Sequence, residues 1–186
     1  MADRTATTLD RLLSEIRGCR HCVASPEGEA LPHQPRPVIV ASTTARLAIA
    51  GQAPGTRVHA SGVPFTDPSG DRLRDWMGVA PQEFHDVSRI AIVPMGFCFP
   101  GLDAKGGDLP PRRECARLWR ARVMAELPQV ELLLLVGQYA QAWHLGKERG
   151  QSLSDTVADW RRHLAVDRTP RLLPLPHPSW RNSGWL

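Results

Sequence analysis

Residues 46–55 read RLAIAGQAPG, a short apolar run that ends on a turn built from two glycines and a proline. Runs this short and this uniformly apolar are what strands buried on both faces look like. The pattern returns three times, at Arg89 to Val93 (RIAIV), Glu131 to Val136 (ELLLLV) and Arg171 to Leu175 (RLLPL). Between the runs, helical spacing predicts helices at Gly70 to Met77, Pro111 to Glu126, Tyr139 to Leu145 and Leu153 to Leu164. A further helix is expected over residues 5–17, where Leu9, Leu12, Leu13 and Ile16 recur at helical intervals before Gly18. Strands alternating with helices make the fold α/β, a three-layer α/β/α sandwich around a central, mostly parallel four-stranded sheet.

The remaining stretches fit that frame. Residues 24–37 (ASPEGEALPHQPRP) are rich in proline and glycine and read as an irregular loop, not a linker, because too little chain precedes them to fold alone. A length of 186 residues suits one domain over 1–186. The sequence closes at Trp185 and Leu186, a few residues beyond the last motif, so no terminal helix is expected within it. It holds no apolar run of roughly 18 residues and its first residues lack the apolar core of a secretory signal, so a cytoplasmic protein with no membrane partner is expected.

A formal charge of +4 suits a polyanionic partner. Arg112, Arg113, Arg117, Arg120 and Arg122 crowd one segment just after Lys105, which reads as a phosphate-facing surface or as an ordinary solvated helix face. The four cysteines are too few for a disulfide framework in such a chain and point towards metal or catalysis. Cys19 and Cys22 form a C-x2-C, while Cys98 and Cys115 are separated by 16 residues. Two close knuckles would be more usual for structural zinc; zinc and plain buried thiols stay open.

Open parallel sheets bind ligands at the carboxyl ends of their strands. The segments there are GQAPG (51–55), PMGFC (94–98), GQYAQ (137–141) and PHPSWRN (176–182). The first is a turn whose backbone amides can face a ligand. In the last, prolines on both sides of His177 hold the backbone extended, which suits a histidine that must be aimed. No phosphate loop of the G-x-x-x-x-G-K-[ST] or G-x-G-x-x-G kind is present, which tells against a nucleotide hydrolase.

The ordered set GQAPG, SGVPFTDPSGD and HPSWRN, running with its surroundings from Leu12 to Asn182, resembles the uracil-DNA glycosylase superfamily, especially its iron-sulfur families four and five. The resemblance implies base excision repair: uracil is flipped out of DNA and its N-glycosidic bond hydrolysed, leaving free uracil and an abasic site, by a monomer. It implies a [4Fe-4S] cluster on Cys19, Cys22, Cys98 and Cys115, His177 as the donor to the departing base, Phe65 as its stacking platform, and Asp67 as the carboxylate at the sugar. Gly51, Ala53, Pro54, Gly55 and Ser179 would line the substrate site. Gln52 stands where better-known members carry an acid, and could orient water without acting as a base; Asp71 is the reserve carboxylate or a helix cap. Val93-Pro94-Met95-Gly96 occupies the place of the usual pyrimidine-reading asparagine, so base recognition is expected from backbone groups near Met95 to Cys98 and from Asn182. His59 replaces an acidic position of family four and could meet the base or a phosphate. The DNA surface would run from Lys105, Arg112 and Arg113 to Trp180 and Arg181, with Trp180 as a wedge or a packed side chain. The uncharged first motif leaves a second reading, a uracil- or abasic-DNA binding protein of low activity. His33, His85, His144 and His163 show no evident partner and are read as structural.

Overall fold

A computed structural model of the chain describes residues 7–179. Its elements, in order, are α1 (Thr8–Arg17), α2 (His21–Ala24), β1 (Leu47–Ala50), α3 (Thr56–Ser61), α4 (Pro68–Met77), α5 (Pro81–Phe84), β2 (Ile90–Ile92), α6 (Arg113–Ala125), β3 (Leu132–Val136), α7 (Gln138–Leu145), a short 3-10 turn (Gly146–Glu148), α8 (Leu153–Ala158), α9 (Trp160–Ala165) and β4 (Arg171–Leu175). The four apolar runs are the four strands, in the order β2-β1-β3-β4, and every pairing is parallel. The fold is therefore the expected α/β sandwich.

Alternation along each strand separates two cores. Ala48, Ala50, Ala91, Val93, Leu133, Leu135 and Leu172 face α1, α6 and α7. Ile49, Ile90, Ile92, Leu134 and Val136 face the other way, onto Leu73 of α4 and Phe84 of α5. Small alanines on the first face let the helices sit close, and branched side chains fill the second.

Local signals explain the helix ends. Thr7 and Asp10 form a capping box at the start of α1, as Ser152 and Asp155 do for α8. The segment expected as one helix from Leu153 to Leu164 is two, because the backbone turns at Asp159, which ends α8 and begins α9. Three short helices, α2, α3 and α5, arise in stretches without a readable apolar period. Among the described residues no helix is long and apolar enough to cross a membrane.

Candidate active site

The carboxyl end of β1 runs into Gly51–Gly55, and the ladder to the next strand continues past its nominal end. The Met95 amide donates to the Gly51 carbonyl at 2.9 Å, and the Gly96 amide to that of Gln52 at 3.0 Å. A narrow cavity of about 80 Å³ opens on this turn, walled by Phe65, Asp67, Pro94, Asp108 and His177. That is room for roughly six waters, the scale of a small planar ring. A second cavity, about 570 Å³, shares Gln52, Ala53, Asp108 and His177 with it and extends to Gln138 and Ser179. A narrow pocket beside a broad opening can take a flat ring together with the chain that carries it.

Phe65 is held under constraint. Its φ of 56 lies in the left-handed region, rare for a residue with a large side chain. Its carbonyl accepts from Arg74 Nη1 at 3.2 Å, and its ring meets Phe84 edge-on. A Cβ on Gly70 would fall 2.0 Å from that carbonyl, and one on Gly51 would touch the ring at 3.4 Å. Gly70 is therefore required by the course of the Phe65 backbone, while a side chain at Gly51 would only meet the ring at contact distance.

Asp67 is the N-cap of α4. Its Oδ1 accepts from the amides of Ser69 and Gly70, at 2.9 and 3.2 Å, and from the Ser69 hydroxyl. The capping role weighed for Asp71 thus belongs to Asp67; Asp71 is exposed and pairs with Arg74. His177 follows β4 and packs against Gly137, whose φ of 83 and missing side chain make room for the ring. The Ser179 amide donates to His177 Nδ1 at 3.3 Å, which leaves the proton of the neutral ring on Nε2. Burial lowers the pKa of His177, against the pull of Asp67, so the ring is neutral at physiological pH. Arg72 of α4 donates to the Ser179 carbonyl at 3.0 Å and so clamps the histidine loop to the helix that Asp67 caps.

The sequence model of the uracil DNA glycosylase superfamily matches residues 38–186. The chain belongs to that superfamily. DNA repair by glycosylase-type hydrolysis is the work of the superfamily, and DNA containing uracil is its partner. The matched span holds Cys98 and Cys115 but begins after Cys19, in the link between α1 and α2, and Cys22 of α2.

All four cysteines are free thiols and line one cavity, between the end of α1, α2, the 97–98 segment and α6. Burial pushes the Cys22 thiol up to about 11 and Cys98 up to about 12, and raises Cys115 further. Each of these is also raised by the charge of at least one other cysteine, which marks the group as mutually close. Among the described residues no three side chains gather as a ligand set for a single metal ion. The cysteines ring a cavity; they do not crowd a point.

Several expected site residues lie elsewhere. His59 lines neither cavity at the turn; its ring packs on His33, 4.5 Å between centroids, and near Phe99. Met95 is a core side chain, and its amide and that of Gly96 are committed to the Gly51–Gln52 turn, so they cannot read a base. The arginine segment is not one basic face. Arg112 lines the cysteine cavity and donates to Glu114 at 2.9 Å, Arg117 pairs with Glu27, Arg122 pairs with Glu15, and Arg120 is buried. Arg113 and Lys105 are exposed. Trp180, Arg181 and Asn182 lie outside the described residues.

Sequence reasoning missed Asp108, Gly137 and Arg72. The GGD at 106–108 is a turn signal that could have flagged the first, and Gly137 directly follows a strand. Nothing in the sequence singles out Arg72 among so many arginines.

Proposed function

We propose that this protein excises uracil from DNA by hydrolysing its N-glycosidic bond. The observation that carries the reading is that Asp67 and His177 line one cavity with the Gly51–Gly55 turn, close enough for the carboxylate to act on the imidazole. Cleavage leaves negative charge on the uracil oxygens and positive charge on the sugar. His177, neutral with its proton on Nε2, donates to the base as charge develops there. Asp67 holds negative charge towards the sugar, Phe65 stacks on the flipped ring, and Gln52 orients water. Extruding the nucleotide costs a few kcal/mol, and stacking on an aromatic returns about 1 to 3.

The shared cavity lined by all four cysteines supports a [4Fe-4S] cluster there, whose positive charge would stabilise the thiolates that burial disfavours. Cys19 and Cys22 would tie the end of α1 and the start of α2 to Cys98 and to Cys115 of α6. The cluster would cross-link these elements and supply no chemistry at the base. The protein works as a cytoplasmic monomer and releases free uracil.

The uncharged Gln52-Ala53 favours the second reading, a binder of uracil or abasic DNA with little turnover. A labelled oligonucleotide with one uracil, incubated with the protein and then treated with alkali, separates the two. Strand scission at the uracil is expected; retention of the intact strand in a stable complex would favour the binder.

A further inference from the structure

We infer that Asp108 is the carboxylate that takes the proton from the attacking water, an inference that rests on the glycosylase reading of the same site. Among the described residues only two carboxylates, Asp67 and Asp108, line the narrow cavity, and only Asp108 also lines the broad one. A base for this reaction must stand where sugar and water meet, at the junction of the two.

The loop that carries Asp108 is built to hold it there. Leu102 and Asp108 form an antiparallel bridge that closes a tight hairpin. Inside it, the Asp103 carboxylate accepts from the amides of Lys105 and Gly107, both at 2.8 Å, and the Asp103 amide donates to the Gly107 carbonyl at 2.8 Å. Past the hairpin, the Leu109 amide returns to the Gly101 carbonyl, and Gln52 Nε2 reaches the Leu109 carbonyl at 3.4 Å. The Asp108 carboxylate lies over Gly55: a Cβ added there would stand 3.3 Å from Oδ2. Gly55 lets the carboxylate approach the floor of the pocket. Charge missing from Gln52-Ala53 thus comes from across the cavity.

In the step proposed, a C1′–O bond forms from water as the C1′–N1 bond breaks. The bonding pair leaves with uracil as the anion that His177 stabilises. Asp108 accepts the water proton and passes it to solvent or to the departing base, so products are uracil and an abasic sugar.

The test compares wild type, Asp108→Asn and Asp108→Glu in single-turnover excision across pH, with binding measured on DNA carrying 2′-fluoro-2′-deoxyuridine, which resists cleavage. Asp108→Asn should lose roughly 10²-fold or more in rate, as expected for a general base, with binding unchanged and without the fall in rate that wild type shows at acid pH. Asp108→Glu should recover part of the rate. Because Asp108 is exposed, its asparagine variant should melt as wild type does. If wild type cuts and Asp108→Asn cuts within threefold of it, or keeps the wild-type acid limb, the inference is wrong and the glycosylase reading survives. If wild type leaves uracil in place under all conditions, both fall.

Discussion

Arg120 Nε donates to His144 Nε2 across 2.7 Å, joining α6 to α7 inside the main core. The same guanidinium donates through Nη1 to the carbonyls of Val93 and Pro94, at the end of β2 and the edge of the narrow cavity. Burial pulls Arg120 down to about 10, still charged at neutral pH, and no ion pair to it occurs among the described residues. A buried cation held only by neutral acceptors is costly. It is compatible with the fold because His144 stays unprotonated.

The linkage sets a direction for acid stability. Burial and Arg120 lower His144 from 6.5 to about 3. Between those values the unfolded chain binds a proton that the folded chain does not, so stability falls as pH drops, by at most about 1.4 kcal/mol per unit from this group. His85, His163 and His177 are lowered by burial too and act in the same sense. Urea midpoints should therefore decline from pH 7.5 to 5. In His144→Gln, which keeps an acceptor for Arg120, the decline should be shallower; an unchanged slope would assign the acid sensitivity to other groups.

His177→Ala should slow single-turnover excision by roughly 10² to 10³, the range for losing one preorganised donor. Binding of uncleavable DNA should change little. Because the ring is neutral, the rate carried by His177 should not rise as pH falls towards 6. A rate that climbs with acidity would show the imidazolium to be the active form.

Asp67 has two roles that substitution can separate. Asparagine still caps a helix, so Asp67→Asn should keep its stability while losing about tenfold or more in excision, as the charge at the sugar disappears. Asp67→Ala should lose both, with about 1 kcal/mol of stability from the missing cap. Equal melting of the two variants would show that the cap contributes nothing.

Protein purified without oxygen should be brown and carry iron and acid-labile sulfide. Cys22→Ser or Cys115→Ser should lose both and melt earlier than wild type, before any effect on chemistry is measured in what remains folded. Colourless protein without iron or acid-labile sulfide would rule out a cluster on this set.

The layered sheet was readable because its strands are buried on both faces: RLAIA, RIAIV, ELLLLV and RLLPL admit few other structures, and each leads into a turn where a ligand site belongs. His177 and the Gly51–Gly55 turn could be picked out because backbone demands, proline on both sides or glycine in a tight turn, leave marks in the local sequence, whereas Phe65 and Asp67 came from the family resemblance. Tertiary structure alone decided what depends on distance through space. It assigned the helix cap to Asp67, took Arg120 out of the basic run and into the core, moved His59 beside His33, and set Asp108 against Gly55. Apart from the Asp67 cap, which is local, spacing along the chain carries no record of such contacts, because Arg120 and His144 stand 24 residues apart in sequence and meet only when the sheet brings its surroundings together.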